Sequence, residues 1–211
     1  APGDVLVLVR KRGPFVDALT RALKREGVPV AGSDRLVLNQ HIAVEDLLAL
    51  GRFLLLPEDD LSLACLLKSP LIGLDDDALF RLARPDGANL RSGTLWQSLR
   101  RQAEGNPAFE RARERIETWR ARADFMPPFE FFSRLLGADG GRRAFRARLG
   151  SEVDDVLDEF LAVTLAFEQT GVPGLEGFLA WFAAVPTEVK RELNAARGVV
   201  RIMTVHGAKG L

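Results

Sequence analysis

The sequence predicts a mainly α protein in which a helical domain is inserted into a small α/β fragment with a short parallel sheet. Two observations carry this expectation: apolar strand-like runs stand near both ends of the chain, at residues 5–9 and 199–205, and helical periodicity dominates between them. The first run, VLVLV, is five branched apolar residues in a row, the pattern of a strand covered on both faces in a parallel sheet. Such a strand cannot stand alone. The run VVRIMTV at 199–205 is its only strong partner, so the body between them reads as an insertion.

Taken in order, the first strand is followed by a turn at Gly13-Pro14 and a helix whose Phe15, Ala18, Leu19, Ala22 and Leu23 share one face, ended by Gly27. Residues 28–30 read as a second extended piece. Beyond Gly32 no convincing strand is expected until Val199. Asn39 is expected to cap a helix over 40–56, and Pro57 to Asp60 start one that runs to Lys68 and breaks at Ser69-Pro70. Asp75-Asp76-Asp77 opens a short helix to Ala83, where three carboxylates suit the positive end of the dipole. The same triplet could hold a divalent metal, but no His or fourth acid stands beside it, so solvated charge is the preferred reading. Helices follow over 94–103, 107–123, 128–136 and 142–149. Ser151 to Asp154 form a variant capping box, and the helix behind it carries Val153, Leu157, Phe160, Leu161, Thr164 and Leu165 on one face. Gly171 and Pro173-Gly174 end it, and helices over 175–184 and 187–196 return the chain to the final strand.

The chain has 211 residues, 47% of them apolar, enough to bury a core. Its 29 basic and 29 acidic side chains cancel, so the whole molecule has no long-range field to draw in nucleic acid or an anionic membrane. The distribution is uneven. Residues 81–150 hold fifteen Arg, no Lys and eight acids, which makes the middle third a candidate basic face. A single cysteine, Cys65, sits in an apolar run and is expected to be a small buried hydrophobe. With no internal disulfide, no signal peptide and no apolar stretch of membrane-spanning length, the expected location is the cytoplasm, away from membranes.

The last twelve residues, VRIMTVHGAKGL, resemble motif V of the UvrD/Rep class of superfamily 1 DNA helicases, an apolar strand followed by T-L-H-x-A-K-G-L-E-F; Thr204, His206, Ala208, Lys209, Gly210 and Leu211 fit. DVLVLVRKR resembles the strand that opens the second half of motor domain 2A in that class. The stretch from Gly27 to Leu74 resembles the start of the inserted 2B domain. The closer likeness is to AddA, the helicase-nuclease subunit of the bacterial AddAB double-strand-break repair enzymes, in its alphaproteobacterial form. It is most secure over residues 3–80 and 174–211, with residues 84–150 assigned by position. The resemblance implies that residues 1–32 and 197–211 are part of a RecA-like 2A domain and that 33–196 are a helical 2B-type insertion. It also implies a piece cut within motif V of an ATP-dependent 3′–5′ helicase/nuclease subunit. ATP and Mg²⁺ belong to the parent. The piece has no phosphate-binding G-x-x-x-x-G-K-[ST] loop of its own and is expected to have no cofactor and no catalytic residue.

By the same resemblance Thr204 and His206 contact single-stranded DNA, and Lys209 and Gly210 couple the DNA track to the nucleotide. Arg10 falls where the family's Tyr-Arg-x-Asn arginine touches DNA, and Arg12 replaces the Asn of that pattern. The Gly-Ile-Gly turn with which relatives grip duplex corresponds to Gly73-Leu74-Asp75, continuing into Asp76 and Asp77, where three carboxylates would repel phosphate. The better candidates for duplex contact are the arginines between 111 and 148. Arg111 with Arg115, and Arg142 with Arg146, lie four apart on a helical face, although Glu110, Glu114 and Glu117 are interleaved with the first pair. His41, at a helix start, reads as structural. The expected partners are DNA and an AddB-like protein, and exposed sheet edges could pair with a second copy. A helical protein-interaction module without nucleic-acid binding is the alternative.

Overall fold

The computed structural model describes residues 1–10, 14–32, 35–87, 89–171, 174–184, 188–190, 198–205 and 208. The chain divides into two compact units, Ala1–Leu36 with Glu188–Leu211, and Val37–Thr187. The architecture is mainly α with a short parallel sheet, as the apolar patterning predicts.

The first unit contains β1 (Leu6–Val9), α1 (Pro14–Arg25), β2 (Val30–Gly32), β3 (Arg35–Val37), β4 (Glu188–Lys190) and β5 (Val200–Thr204). β1 and β2 both pair parallel with β5, giving the order β1-β5-β2, with Leu6 opposite Arg201 and Val9 opposite Thr204. Period-two alternation sends Val7 and Val9 to one face, where they pack with Val16 and Leu19 of α1 and with Val30 and Ile202. The expectation of a strand covered on both faces is corrected here: Val5, Leu6 and Leu8 are exposed, while α1 packs on the face that carries Val7 and Val9. Two further expectations change. The stretch after Gly32 holds a strand, β3, and residues 188–190 of the expected 187–196 helix are β4, its partner in a separate two-stranded sheet. Pairing between segments so distant in sequence overrides local helical preference; residues 191–197 lie outside the described residues.

The second unit is helical. α2 (Ile42–Leu55) is apolar nearly all round and forms the centre, with Val44, Leu47, Leu50 and Phe53 fully shielded from solvent. Its N-cap is His41, whose Nδ1 accepts from Ala43 N at 3.2 Å, rather than Asn39, which belongs to a preceding 3₁₀ turn over Leu38–Gln40. α3 (Asp60–Lys68), α4 (Asp76–Ala83), α5 (Leu95–Gln102), α6 (Pro107–Ala123), α7 (Pro128–Leu136), α8 (Gly141–Leu149), α9 (Val153–Glu168) and α10 (Gly174–Ala184) follow. Of these, α3, α6, α9 and α10 pack directly on α2. Gly51 lets α10 come close: a Cβ there would stand 3.1 Å from the Leu179 side chain.

Asp59 caps α3, accepting from Ser62 N at 3.0 Å and Ser62 Oγ at 2.6 Å, and those hydrogen bonds hold its carboxyl below the usual carboxylate range. Asp60 joins elements far apart in the chain by accepting from Leu95 N and pairing with Arg91. The capping box expected at Ser151 does not form. Glu152 is the N-cap but its side chain makes no capping hydrogen bond, and the Asp154 carboxylate faces Arg142 and Arg146 instead of reaching back. The buried face of α9 is Val153, Val156, Leu157, Phe160, Thr164 and Phe167; Leu161 is half-buried and Leu165 exposed, so the stripe is rotated from the expected one.

Between α7, α9 and α10 lies an aromatic cluster. Phe160 meets Phe132 edge-on at 5.0 Å, Phe178 at 5.9 Å and Phe182 at 5.8 Å. Replacing Phe160 with Ala is expected to lower the unfolding free energy by about 3–5 kcal/mol through lost burial and the cavity left behind, read as a lower urea midpoint at unchanged slope.

Candidate nucleic-acid interface

In a parallel sheet, ligand sites collect where strands end, because the backbone leaves the ladder there and the loops diverge. Two of the sequence-predicted residues come together at such an edge. Val9 pairs with Thr204, Val205 N donates to Val9 O at 3.0 Å, and Arg10 follows Val9 directly as an exposed residue. Arg10 therefore lies level with Val205, one position past Thr204 on the neighbouring strand. A guanidinium so placed can donate a charge-assisted hydrogen bond to a phosphate crossing the strand ends. Arg12, His206, Lys209 and Gly210 lie outside the described residues.

The acidic turn at 73–77 is built by local backbone demands. Gly73 has φ +83°, a conformation that only glycine takes without strain, and its N–H donates to Ser69 O at 2.8 Å while Leu74 N–H donates to Leu67 O at 2.8 Å. Asp75 caps α4 through Ala78 N at 2.8 Å, and Asp76 pairs with Lys68. Two carboxylates of the triplet thus serve the fold. No group of three or more His, Cys, Asp or Glu among the described residues is arranged to hold a metal ion.

The arginine-rich middle is divided between paired and unpaired side chains. Arg115 donates to Asp139 O at 3.1 Å and lies over the Trp119 ring at 5.2 Å, while Trp119 Nε1 and Arg122 Nη1 both donate to Asp139 Oδ2, at 3.1 and 2.9 Å. Asp139 therefore anchors α6 to the α7–α8 connection. Arg142 pairs with Asp158 and, at 3.5 Å, with Asp154, and Arg146 reaches the other Asp154 oxygen at 3.5 Å. Arg111 is exposed. The sequence pairs Arg111 with Arg115 and Arg142 with Arg146, but the structure ties Arg115 and Arg142 into the helical body.

A second basic grouping was not apparent from helical spacing. Arg100 and Arg101 end α5, Arg113 lies on α6, and together with Gln97 and Glu104 they line an open cleft of about 410 Å³. Its only sequence signal is the adjacent pair Arg100-Arg101, since Arg113 joins them through helix packing. A further cleft, of about 280 Å³, is lined by Ile42, Asp46, Cys65, Lys68, Ser69, Pro70, Arg148 and Leu149. Cys65 is exposed there, which corrects the expectation of a buried thiol: α3 turns Leu63, Leu66 and Leu67 inward, leaving position 65 outside.

No family model matches the chain. Its relatives are nevertheless consistent along its length, and they place its likeness in the UvrD/Rep class of superfamily 1 helicases. More particularly, it is 26% identical over 225 residues to the AddA-type ATP-dependent helicase/nuclease subunit of Anoxybacillus flavithermus, and 29% identical over 229 residues to that of Pelotomaculum thermopropionicum. Both matches cover 99% of this chain but only 18% and 17% of the relatives. The ATP-dependent DNA helicase PcrA of Bacillus subtilis is 26% identical over 182 residues, covering 80% of the chain and 24% of PcrA. The resemblance to AddA-type proteins read from the motifs is thus borne out, and the chain spans less than a quarter of the length of each of these relatives. Among the described residues no helix is long and apolar enough to cross a membrane.

Asp46 gives the helical body a measurable pH dependence. It is buried on α2, and burial raises its carboxyl to about 6, with Arg148 opposing and Glu45 adding to the rise. Because the folded state holds this proton more tightly than the unfolded chain, stability is greatest below the unfolded value and falls as pH rises from about 4 to about 6. Asp46→Asn is expected to remove that decline and to leave the protein more stable at neutral pH by about 1–3 kcal/mol, checked by urea unfolding across the pH range.

Proposed function

We propose that this chain is the 2B-type helical insertion, with its flanking part of a RecA-like 2A domain, of an ATP-dependent DNA helicase/nuclease of double-strand-break repair. The observation that carries the reading is the likeness to AddA-type helicase/nuclease proteins over 99% of the chain. The adjacency of Arg10 to the end of β5 supports a single-strand track across the strand ends, with Thr204 and His206 as further DNA contacts and Lys209 and Gly210 linking the track to nucleotide state in the intact enzyme. The helical body steers duplex or meets an AddB-like partner. ATP and Mg²⁺ are bound elsewhere in the parent, since the sequence here contains no glycine-rich phosphate loop with its lysine and hydroxyl.

An interaction module that leaves DNA alone is the second reading, favoured by the internal ion pairs that Arg142 and Arg146 already make. The two separate on salt. Binding of single-stranded, duplex and 3′-tailed DNA, followed by fluorescence anisotropy, is expected to weaken with salt by a log–log slope of about −0.7 per single-strand phosphate contacted. Arg10→Ala is expected to reduce single-strand affinity about tenfold, the worth of one charge-assisted hydrogen bond. Salt-insensitive binding, or none, would favour the interaction module. The chain alone is expected to hydrolyse no ATP above a mock preparation, and nucleotide turnover by the pure protein would overturn that assignment.

A further inference from the structure

The cleft between α5 and α6 has features that neither the helicase motifs nor the helical packing require. Arg100, Arg101 and Arg113 bring three guanidiniums to one small opening, against a single carboxylate, Glu104. None of the three forms an ion pair with a described residue; Arg101 is held only by donating to Ser92 O at 2.9 Å. Arg113 is half-buried, and its Nε is closed off from solvent with no acceptor. Elsewhere in the body the arginines are handled differently. Arg91, Arg122, Arg142 and Arg146 each have a carboxylate partner, whereas these three guanidiniums share one cleft without an ion pair, and Arg113 among them is half-buried.

Residues at the end of a helix do favour positive charge, and that accounts for Arg100 and Arg101 in the last turn of α5. It does not account for Arg113, which sits mid-helix on α6. Like charges gathered in a partly desolvated cleft repel one another unless an anion joins them. Guanidiniums suit an oxyanion with several oxygens, since each offers a planar fork, and Arg113 has already lost side-chain freedom to burial, so less is lost on binding. The cleft's volume exceeds what one carboxylate side chain would fill, and its open side admits a group attached to a longer chain.

We propose that this cleft is a phosphate-binding site, recognising a phosphate group through the guanidiniums of Arg100, Arg101 and Arg113. The phosphate of a nucleic-acid backbone and a free phosphate share that chemistry. The nucleic-acid source rests on the reading given under Proposed function, whereas the site itself does not.

Two probes separate these cases: inorganic pyrophosphate, followed by isothermal titration calorimetry, and fluorescein-labelled duplex and single-stranded DNA, followed by anisotropy across a salt series. Arg113→Gln, and the double change Arg100→Gln with Arg101→Gln, are each expected to abolish pyrophosphate heat. The same variants weaken DNA binding about tenfold and shrink the salt slope by about one per contact removed. Arg113→Lys, which keeps the charge but not the fork, should recover part of the affinity, and Arg134→Gln on α7 should change nothing. Loss of pyrophosphate binding with unchanged DNA binding supports the site and assigns it to a free phosphate. Wild-type binding of both probes by well-folded glutamine variants overturns the site, and if Arg10→Ala still weakens DNA binding in that case, the helicase reading survives without it. A wild-type chain that binds neither probe overturns it too. Should Arg113→Gln fail to fold, the exposed Arg100 and Arg101 carry the test alone.

Discussion

A helix that buries most of its circumference has to be enclosed by its neighbours, and α2 imposes that requirement on the helical unit. Ala43, Val44, Leu47, Leu50 and Phe53 are buried, while Glu45 and Arg52 keep one side of it in water. The surrounding helices are amphipathic because each need cover only one sector. α10 approaches closely where Gly51 has no side chain to intervene, and the Phe132, Phe160, Phe178 and Phe182 rings fill the space on the α7 and α9 side. The buried Asp46 shows the strength of this constraint: placed among the buried positions of that helix, its carboxyl gives way and keeps its proton at a pH where an exposed one has lost it.

The charge pattern follows from the same enclosure. Once the interior is claimed by α2 and the phenylalanines, the fifteen arginines of residues 81–150 must be held at the surface, and the fold uses many of them as struts between helices. Asp139 gathers Trp119 and Arg122, both of α6, and Asp154 of α9 gathers Arg142 and Arg146, both of α8. The net positive count of the middle third is therefore a poor guide to the surface it presents. What reaches solvent as unpaired charge is a smaller set, and its placement is decided by helix packing.

Much of the fold was legible because local chemistry marks it. Proline at the first helical position needs no hydrogen bond from its nitrogen and has the right φ, and α6 and α7 begin at Pro107 and Pro128, where the sequence places them. Asp75 and Thr94 cap the helices they precede. β3 and β4 were not legible, since three-residue strands hold their form only through each other, from opposite ends of the chain. Periodicity placed α9 correctly yet turned its buried stripe, because Leu165 and Phe167 are equally apolar and only packing chooses between them. At the candidate site the motif pointed to Arg10 and Thr204, and the strand register sets Arg10 one position past Thr204 at the end of the neighbouring strand. Of the Arg100, Arg101 and Arg113 grouping only the adjacent pair shows in the linear sequence, since a second helix supplies Arg113.

The order of strands in the sheet has a consequence for how the molecule assembles. Among the described strands β5 is far from β1 and β2 in sequence but lies between them in the sheet, so those two are joined only through it, and Leu6 waits for Arg201. Closing so long a loop is costly for an unfolded chain, whereas a compact intervening body shortens the search. The helical unit can condense on α2 from contacts along its own stretch, and the sheet then forms as the late, dependent step. Unfolding of the helical unit would on this account cost the sheet its closure as well, since the loop to be closed would then be a long unfolded chain.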